Sequence, residues 1–181
     1  MNIPNLISLA RLLSVPVAVW FILDDALAAA FWLFVLAGLS DAIDGFIAKR
    51  FDQRSALGAL LDPIADKALL VGMFVTLGLG HRLPSWVVIL VVFRDLLIVG
   101  GFLLATMYGQ RMRFEPLVVS KLNTTLQIVL IAAVLGEIGL GIDLAREITL
   151  LVYAVGVTTI LSGAGYLVRW ARSWSGTEVG P

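Results

Sequence analysis

Six stretches of mainly apolar residues follow one another along the chain, separated by short polar breaks. Each is long enough to cross a bilayer, since roughly 30 Å of hydrocarbon takes about 20 helical residues. The pattern predicts helices over residues 7–24, 27–48, 57–79, 84–108, 117–137 and 146–169. The expected architecture is an all-α integral membrane protein with six transmembrane helices. Residues 1–170 form a single domain, and 171–181 form a small polar tail expected to be poorly ordered. A competing reading makes residues 1–28 a signal peptide with Leu12–Ile22 as its apolar region. Asp24 and Asp25 sit awkwardly before such a cleavage region and a second apolar run begins at once, so a span is the better reading.

Composition reinforces the pattern. The chain of 181 residues is 60% hydrophobic and 14% charged, against roughly half and a quarter in soluble domains. With no cysteine, disulfides, thiolate nucleophiles and sulfur-ligated metals are excluded. The formal net charge is zero, so total charge points neither to nucleic acid nor to a polybasic lipid patch. Distribution is more informative. Arg11, Lys49, Arg50, Arg54, Arg111, Arg113, Lys121, Arg169 and Arg172 fall on one side of the expected spans, and only Arg82 and Arg146 on the other. Basic residues near span ends set orientation, which makes the first side cytoplasmic. Trp20, Trp32, Trp86, Trp170 and Trp174 are read as an interfacial aromatic belt. His81, in a short loop on the far side with no partner at metal-ligand spacing, is read as a loop residue.

The stretch from Ser40 to Lys67 breaks the apolar rule with four aspartates. Asp41 and Asp44 are three apart and Asp62 and Asp66 four apart, so each pair projects from one face of its helix. The basic segment between them suits a cytoplasmic turn. At about 1.5 Å per residue, Asp44 and Asp62 lie about one turn in, and Asp41 and Asp66 roughly 12 Å in. An ionised aspartate at the centre of a spanning helix costs on the order of 2.5–3.5 kcal/mol, and like charges brought together also repel. Hard divalent cations with oxygen ligands, such as magnesium or manganese, fit a cluster without sulfur or nearby histidine. Two such ions suit phosphoryl-type displacement on a diphosphate. The bland alternative pairs the aspartates with Lys49, Arg50, Lys67 and Arg94 in ordinary salt bridges, but that leaves the matched depth unexplained. Gly45 and Gly58 remove side chains where a ligand would approach the backbone, although small residues are also common at membrane helix contacts.

These residues resemble the CDP-alcohol phosphatidyltransferase family, whose signature reads D-x-x-D-G-x-x-A-R, a short gap, then G-x-x-x-D-x-x-x-D. Asp41, Asp44, Gly45, Ala48, Gly58, Asp62 and Asp66 occupy its positions, seven across 26 residues. Lys49, followed by Arg50, stands where the signature has arginine; lysine offers a point charge and cannot make a bidentate fork. Similarity extends over about the first 130 residues. Asn2-Ile3-Pro4-Asn5-Leu6 with Arg11, Gln53 to Lys67, Arg94-Asp95 and Ser120 to Thr124 look most like the CMP-forming cardiolipin synthase branch.

The resemblance implies a six-helix fold, commonly a homodimer, with two divalent cations (Mg2+ or Mn2+) held by Asp41, Asp44 and Asp62. Asp66 joins that site as general base on the acceptor hydroxyl. CDP-diacylglycerol is expected against Asn5, Asp44, Gly45, Ala48, Lys49, Arg50 and Gly58. Arg94, Arg111, Arg113 and Lys121 are candidates for the phosphate of an anionic acceptor, with a structural ion pair as the alternative for Arg94 and pairing or capping expected for Asp95. The leading expectation is transfer to phosphatidylglycerol with release of CMP. The nearest rival is phosphatidylglycerophosphate synthesis on glycerol 3-phosphate, and the rival from another class is a cation transporter, against which no inverted repeat is apparent. A start at Met1-Asn2 is read as leaving no room for a transit segment, which favours a bacterial plasma membrane facing its site to the cytoplasm.

Overall fold

The protein is described here from a computed structural model, which defines the backbone of residues 3–51, 56–107 and 118–174; side chains are described for 9–40, 65, 67–101 and 118–169. Six helices lie within the described residues: α1 (Ile3–Leu23), α2 (Leu27–Phe51), α3 (Ala56–Leu79), α4 (Ser85–Met107), α5 (Val118–Leu140) and α6 (Ala145–Trp174). The central four match the expected segments closely, while the outer two run longer. The first helix begins at Ile3 rather than residue 7, with Pro4 in its first turn, where the missing N–H has no helical partner to lose. The last continues through Ala171 and Arg172 to Trp174, because no helix breaker intervenes before Gly176. Residues 175–181 of the expected tail lie outside the described residues.

Each helix contacts two neighbours around a closed ring in the order α1, α3, α4, α6, α5, α2, and α3 also meets α5 across the middle. The ring therefore resolves into two four-helix clusters, α1–α2–α5–α3 and α3–α4–α6–α5, sharing the α3–α5 contact. Phe74, Met73 and Leu77 of α3 pack with Ile22 of α1 and Leu130 and Leu135 of α5 in a fully buried apolar core. The first helix is integral to that core, with Ala18 also fully buried.

At one end of the bundle, Asp25 between α1 and α2 accepts a hydrogen bond from Arg82 between α3 and α4, and Arg82 also donates to the Ile22 carbonyl at 3.2 Å. Asp25 and His81 both adopt positive φ, 58° and 55°. Left-handed residues of this kind commonly end helices, which accounts for His81 without any ligand.

The outward faces are apolar. Ile89, Phe93 and Leu96 of α4 and Leu150, Val157 and Leu161 of α6 are all more than half exposed. In water such a surface would drive association; against lipid tails it is matched. Among the described residues, α5 and residues 145–169 of α6 are long and apolar enough to cross a membrane. Trp20, Trp32 and Trp86 are well exposed, as an interfacial belt requires. Trp86 also lies over Gly156, where a Cβ would come within 2.6 Å of its ring, and packs beside Tyr153 with ring centroids 6.0 Å apart.

Candidate active site

The signature residues fall at the end of α2 and the start of α3, which follow one another in the chain. Asp41, Asp44, Gly45, Ala48, Lys49 and Arg50 belong to the last three turns of α2, and Gly58, Asp62 and Asp66 to the first three turns of α3. Asp41 is ten residues before the end of α2, and Asp66 is ten residues after the start of α3. At about 1.5 Å per residue each lies roughly 15 Å along its helix from that end. The side chains of these residues and of Asn5, which sits in the first turn of α1, lie outside the described residues, as do residues 111 and 113 altogether. Among the described residues α2 and α3 do not touch each other. Both pack against α1 and both reach α5.

Described side chains surround that region. Arg11 is 4% exposed and lines a groove between α1 and α2 with Ser14, Leu36, Ala37 and Ser40; Ser40 directly precedes Asp41. Lys67, directly after Asp66, donates to Asp95 Oδ2 at 2.8 Å. The other oxygen, Asp95 Oδ1, accepts from Arg94 Nη1 at 2.6 Å. Arg94 then reaches α6, donating to Ser162 Oγ from Nε at 3.2 Å and from Nη2 at 2.6 Å, and α5, donating to Ser120 Oγ. Its guanidinium carbon lies 5.9 Å from the Tyr166 ring centroid. Arg94 and Asp95 are 3% and 2% exposed, so the pair is buried among α3, α4, α5 and α6. For Arg94 the observed arrangement is the structural ion pair that the sequence left open beside acceptor binding, and Asp95 is paired as expected.

Lys121 is exposed at the start of α5, one residue from Ser120, and is available to an incoming anion. The hydroxyls of Thr124 and Thr125 donate to the carbonyls of Ser120 and Lys121 in the same helix, a common local use of threonine. Farther along α5, Asn123 Oδ1 accepts from Thr158 at 2.8 Å and Thr159 at 3.0 Å, joining α5 to α6. One turn deeper, Gln127 is fully buried and neither amide atom has a hydrogen-bond partner. An unmet buried polar group costs about 1–3 kcal/mol. Replacing Gln127 by the similarly shaped methionine is therefore expected to stabilise the fold by about 1 kcal/mol, read as a higher melting temperature in detergent. A fall instead would mean that the amide is satisfied by a bound group.

The donor set suits a divalent cation. Asp41, Asp44, Asp62 and Asp66 offer only carboxylate oxygen, the chain has no cysteine, and His81 lies in the α3–α4 loop at the other end of α3 from these residues. Hard cations with oxygen ligands fit such a set. Among the described residues no cluster of three His, Asp or Glu is present.

An apolar exterior around an apolar core, in which a few charged and amide side chains are buried, marks an all-helical, membrane-embedded protein. The chain matches the CDP-alcohol phosphatidyltransferase family over residues 1–162 and belongs to that family. Its members are membrane-embedded and generally depend on a divalent cation. The chain is 36% identical over 95% of its length to the CDP-diacylglycerol–glycerol-3-phosphate 3-phosphatidyltransferase 1, chloroplastic, of Oryza sativa, covering 58% of that protein. It is 34% identical over 92% of its length to a cardiolipin synthase (CMP-forming)/mitochondrial hydrolase fusion protein of Schizosaccharomyces pombe, covering 31% of it. With the human cardiolipin synthase (CMP-forming) it shares 34% identity over 73% of its length and 49% of the human protein. The chain thus spans about half the length, or less, of these curated relatives.

Sequence reasoning missed the joint role of Lys67, Asp95, Ser120 and Ser162 in one buried network. The available signal was the pair Arg94-Asp95 inside an apolar run, which had to be neutralised somewhere; the serines carried none.

Proposed function

We propose that this chain transfers a phosphatidyl group from CDP-diacylglycerol to phosphatidylglycerol, yielding cardiolipin and CMP. What supports the reading is the seven signature residues, carried by α2 and α3, within a chain belonging to this family. The cardiolipin synthase names of the fission yeast and human relatives support the acceptor. We read the six helices as six spans and the working form as a homodimer, with the acidic ends at the cytoplasmic face according to the distribution of basic residues.

In this reading Asp41, Asp44, Asp62 and Asp66 would hold two divalent cations, Mg2+ or Mn2+, whose chemistry is to neutralise the diphosphate and stabilise charge on the entering and departing oxygens. Asn5, Lys49 and Arg50 bind the nucleotide and its phosphates, while Gly45, Ala48 and Gly58 leave room for close approach. Lys121, Arg111 and Arg113 draw the acceptor phosphodiester to the mouth by charge. Arg94, hydrogen-bonded to Ser120 beside Lys121, contributes to acceptor binding. Asp66 accepts the proton of the acceptor hydroxyl as that oxygen bonds to the β-phosphorus of the diphosphate, and the bond from that phosphorus to the bridging oxygen breaks to release CMP. Positioning and charge stabilisation supply most of the acceleration.

A second reading, phosphatidylglycerophosphate synthesis, is favoured by the name of the rice relative. Offering the purified protein CDP-diacylglycerol with each acceptor separately decides between them. Cardiolipin and CMP are expected with phosphatidylglycerol; product with glycerol 3-phosphate alone sinks the first reading. Metal flux through liposomes without CMP release would instead support the transporter.

A further inference from the structure

We infer that Asp95 is a positioning residue that keeps the charges of Lys67 and Arg94 on the α4 side of the bundle, off the carboxylates that would bind divalent cations; the inference rests on the proposed reading of the acidic ends. Carboxylates in a membrane bundle are natural partners for cations; Lys67 directly follows Asp66 on α3, and Arg94 lies on the neighbouring α4. Both are bonded to Asp95. Lys67 donates a hydrogen bond to one carboxylate oxygen at 2.8 Å and Arg94 to the other at 2.6 Å.

Burial makes this arrangement selective. The Asp95 side chain is 3% exposed, the Arg94 side chain 4% and the Lys67 side chain 28%. With little water to screen them, opposite charges interact strongly at these separations. Arg94 is further fixed by Ser162 and Ser120 and cannot swing away without losing those bonds. Lys67 is different. It has a flexible stem, partial exposure and one described anchor, and it directly follows Asp66. Loss of the Asp95 charge would free an ammonium group beside the acidic site, where it competes with a divalent cation for the same oxygens. Ion pairs buried in this way are often no more stabilising than apolar packing, so stability alone does not account for the cluster.

The experiment compares four proteins: wild type, Asp95→Asn, Lys67→Met and the double variant. Binding of Mn2+ to each is titrated by the paramagnetic resonance of free Mn2+, and the dependence of CMP release on Mn2+ is measured alongside. Asp95→Asn is expected to weaken Mn2+ binding about tenfold or more, the scale on which a neighbouring charge shifts a carboxylate equilibrium, with the KM for CDP-diacylglycerol near wild type at saturating metal. Lys67→Met alone should bind Mn2+ as well as wild type or better, and in the double variant it should recover most of the lost affinity.

A merely structural Asp95 would leave Mn2+ affinity unchanged in the folded fraction, or leave the double variant as weak as Asp95→Asn, and either result overturns the inference. Should Asp95→Asn fail to fold, Lys67→Met decides by itself, and a tenfold loss of Mn2+ affinity there overturns it. The titration needs no lipid substrate. A wild type that binds Mn2+ without releasing CMP removes the proposed reaction but still tests Asp95, whereas a wild type that binds no Mn2+ removes both.

Discussion

Asp66→Asn is expected to abolish CMP release while leaving the assembled protein folded and as stable in detergent as the parent. The amide keeps the size and shape of the carboxylate but neither accepts a proton at neutral pH nor offers a charged oxygen to a divalent cation. Removing a general base alone costs on the order of 10²–10⁴-fold in rate, and Asp66 is also assigned to the cation cluster, so the loss should reach at least about 10³-fold. Folding should be spared because the substitution removes one of four like charges from the ends of α2 and α3, which in the absence of metal lowers repulsion. Turnover assay, gel filtration and a melting curve on the same preparation check all three points. Synthesis at the parental rate would remove Asp66 from the mechanism.

Gly139→Ala is expected to have the largest effect on the fold itself. A Cβ built at Gly139 comes within 2.6 Å of the Ala28 nitrogen and 2.7 Å of the Leu27 carbonyl carbon. Both atoms are backbone at the start of α2, so no side chain can rotate away and the two helices must separate. Overpacking of this kind costs up to about 3 kcal/mol, sometimes more, against a gain of about 1 kcal/mol from replacing glycine within a helix. The net loss of about 2 kcal/mol corresponds to a fall of roughly 4–8 °C in melting temperature. Gly100 serves as the control, since a Cβ there meets nothing within 4 Å among the described residues. An unchanged melting curve for Gly139→Ala would mean that α2 and α5 are not pressed together at this point.

The contrast between these glycines shows how far a linear reading goes. Both stand in apolar helices with similar neighbours in the chain, yet one touches backbone and the other faces open space. Weak periodicity is the physical cause. In a bundle whose exterior meets lipid and whose core is also apolar, Leu130 inside and Leu150 outside are chemically alike, so hydrophobic spacing marks the helix but not its inward face. Polar residues are the exception. Arg94, Asp95, Asn123 and Gln127 were all going to turn inward, and all four are buried.

What remained illegible was partnership. Asp95 meets Lys67 across 28 positions of sequence, and Arg94 meets Ser162 across 68; nothing local to either residue marks the other. For Arg94 the sequence left both an external phosphate and an ion pair open, and the structure supplies the partners Asp95, Ser120 and Ser162. The order of helices around the ring, with α1 rather than α3 beside α2 among the described residues, was equally beyond the reach of a pattern along the chain.

The sequence by itself determined the number and approximate limits of the helices among the described residues, and their apolar setting. These are properties of length, composition and helical rise, which each segment carries alone. Only the tertiary structure decided which helices became neighbours and which buried charges answered one another, because those outcomes depend on the shapes of several helix surfaces fitted together at once.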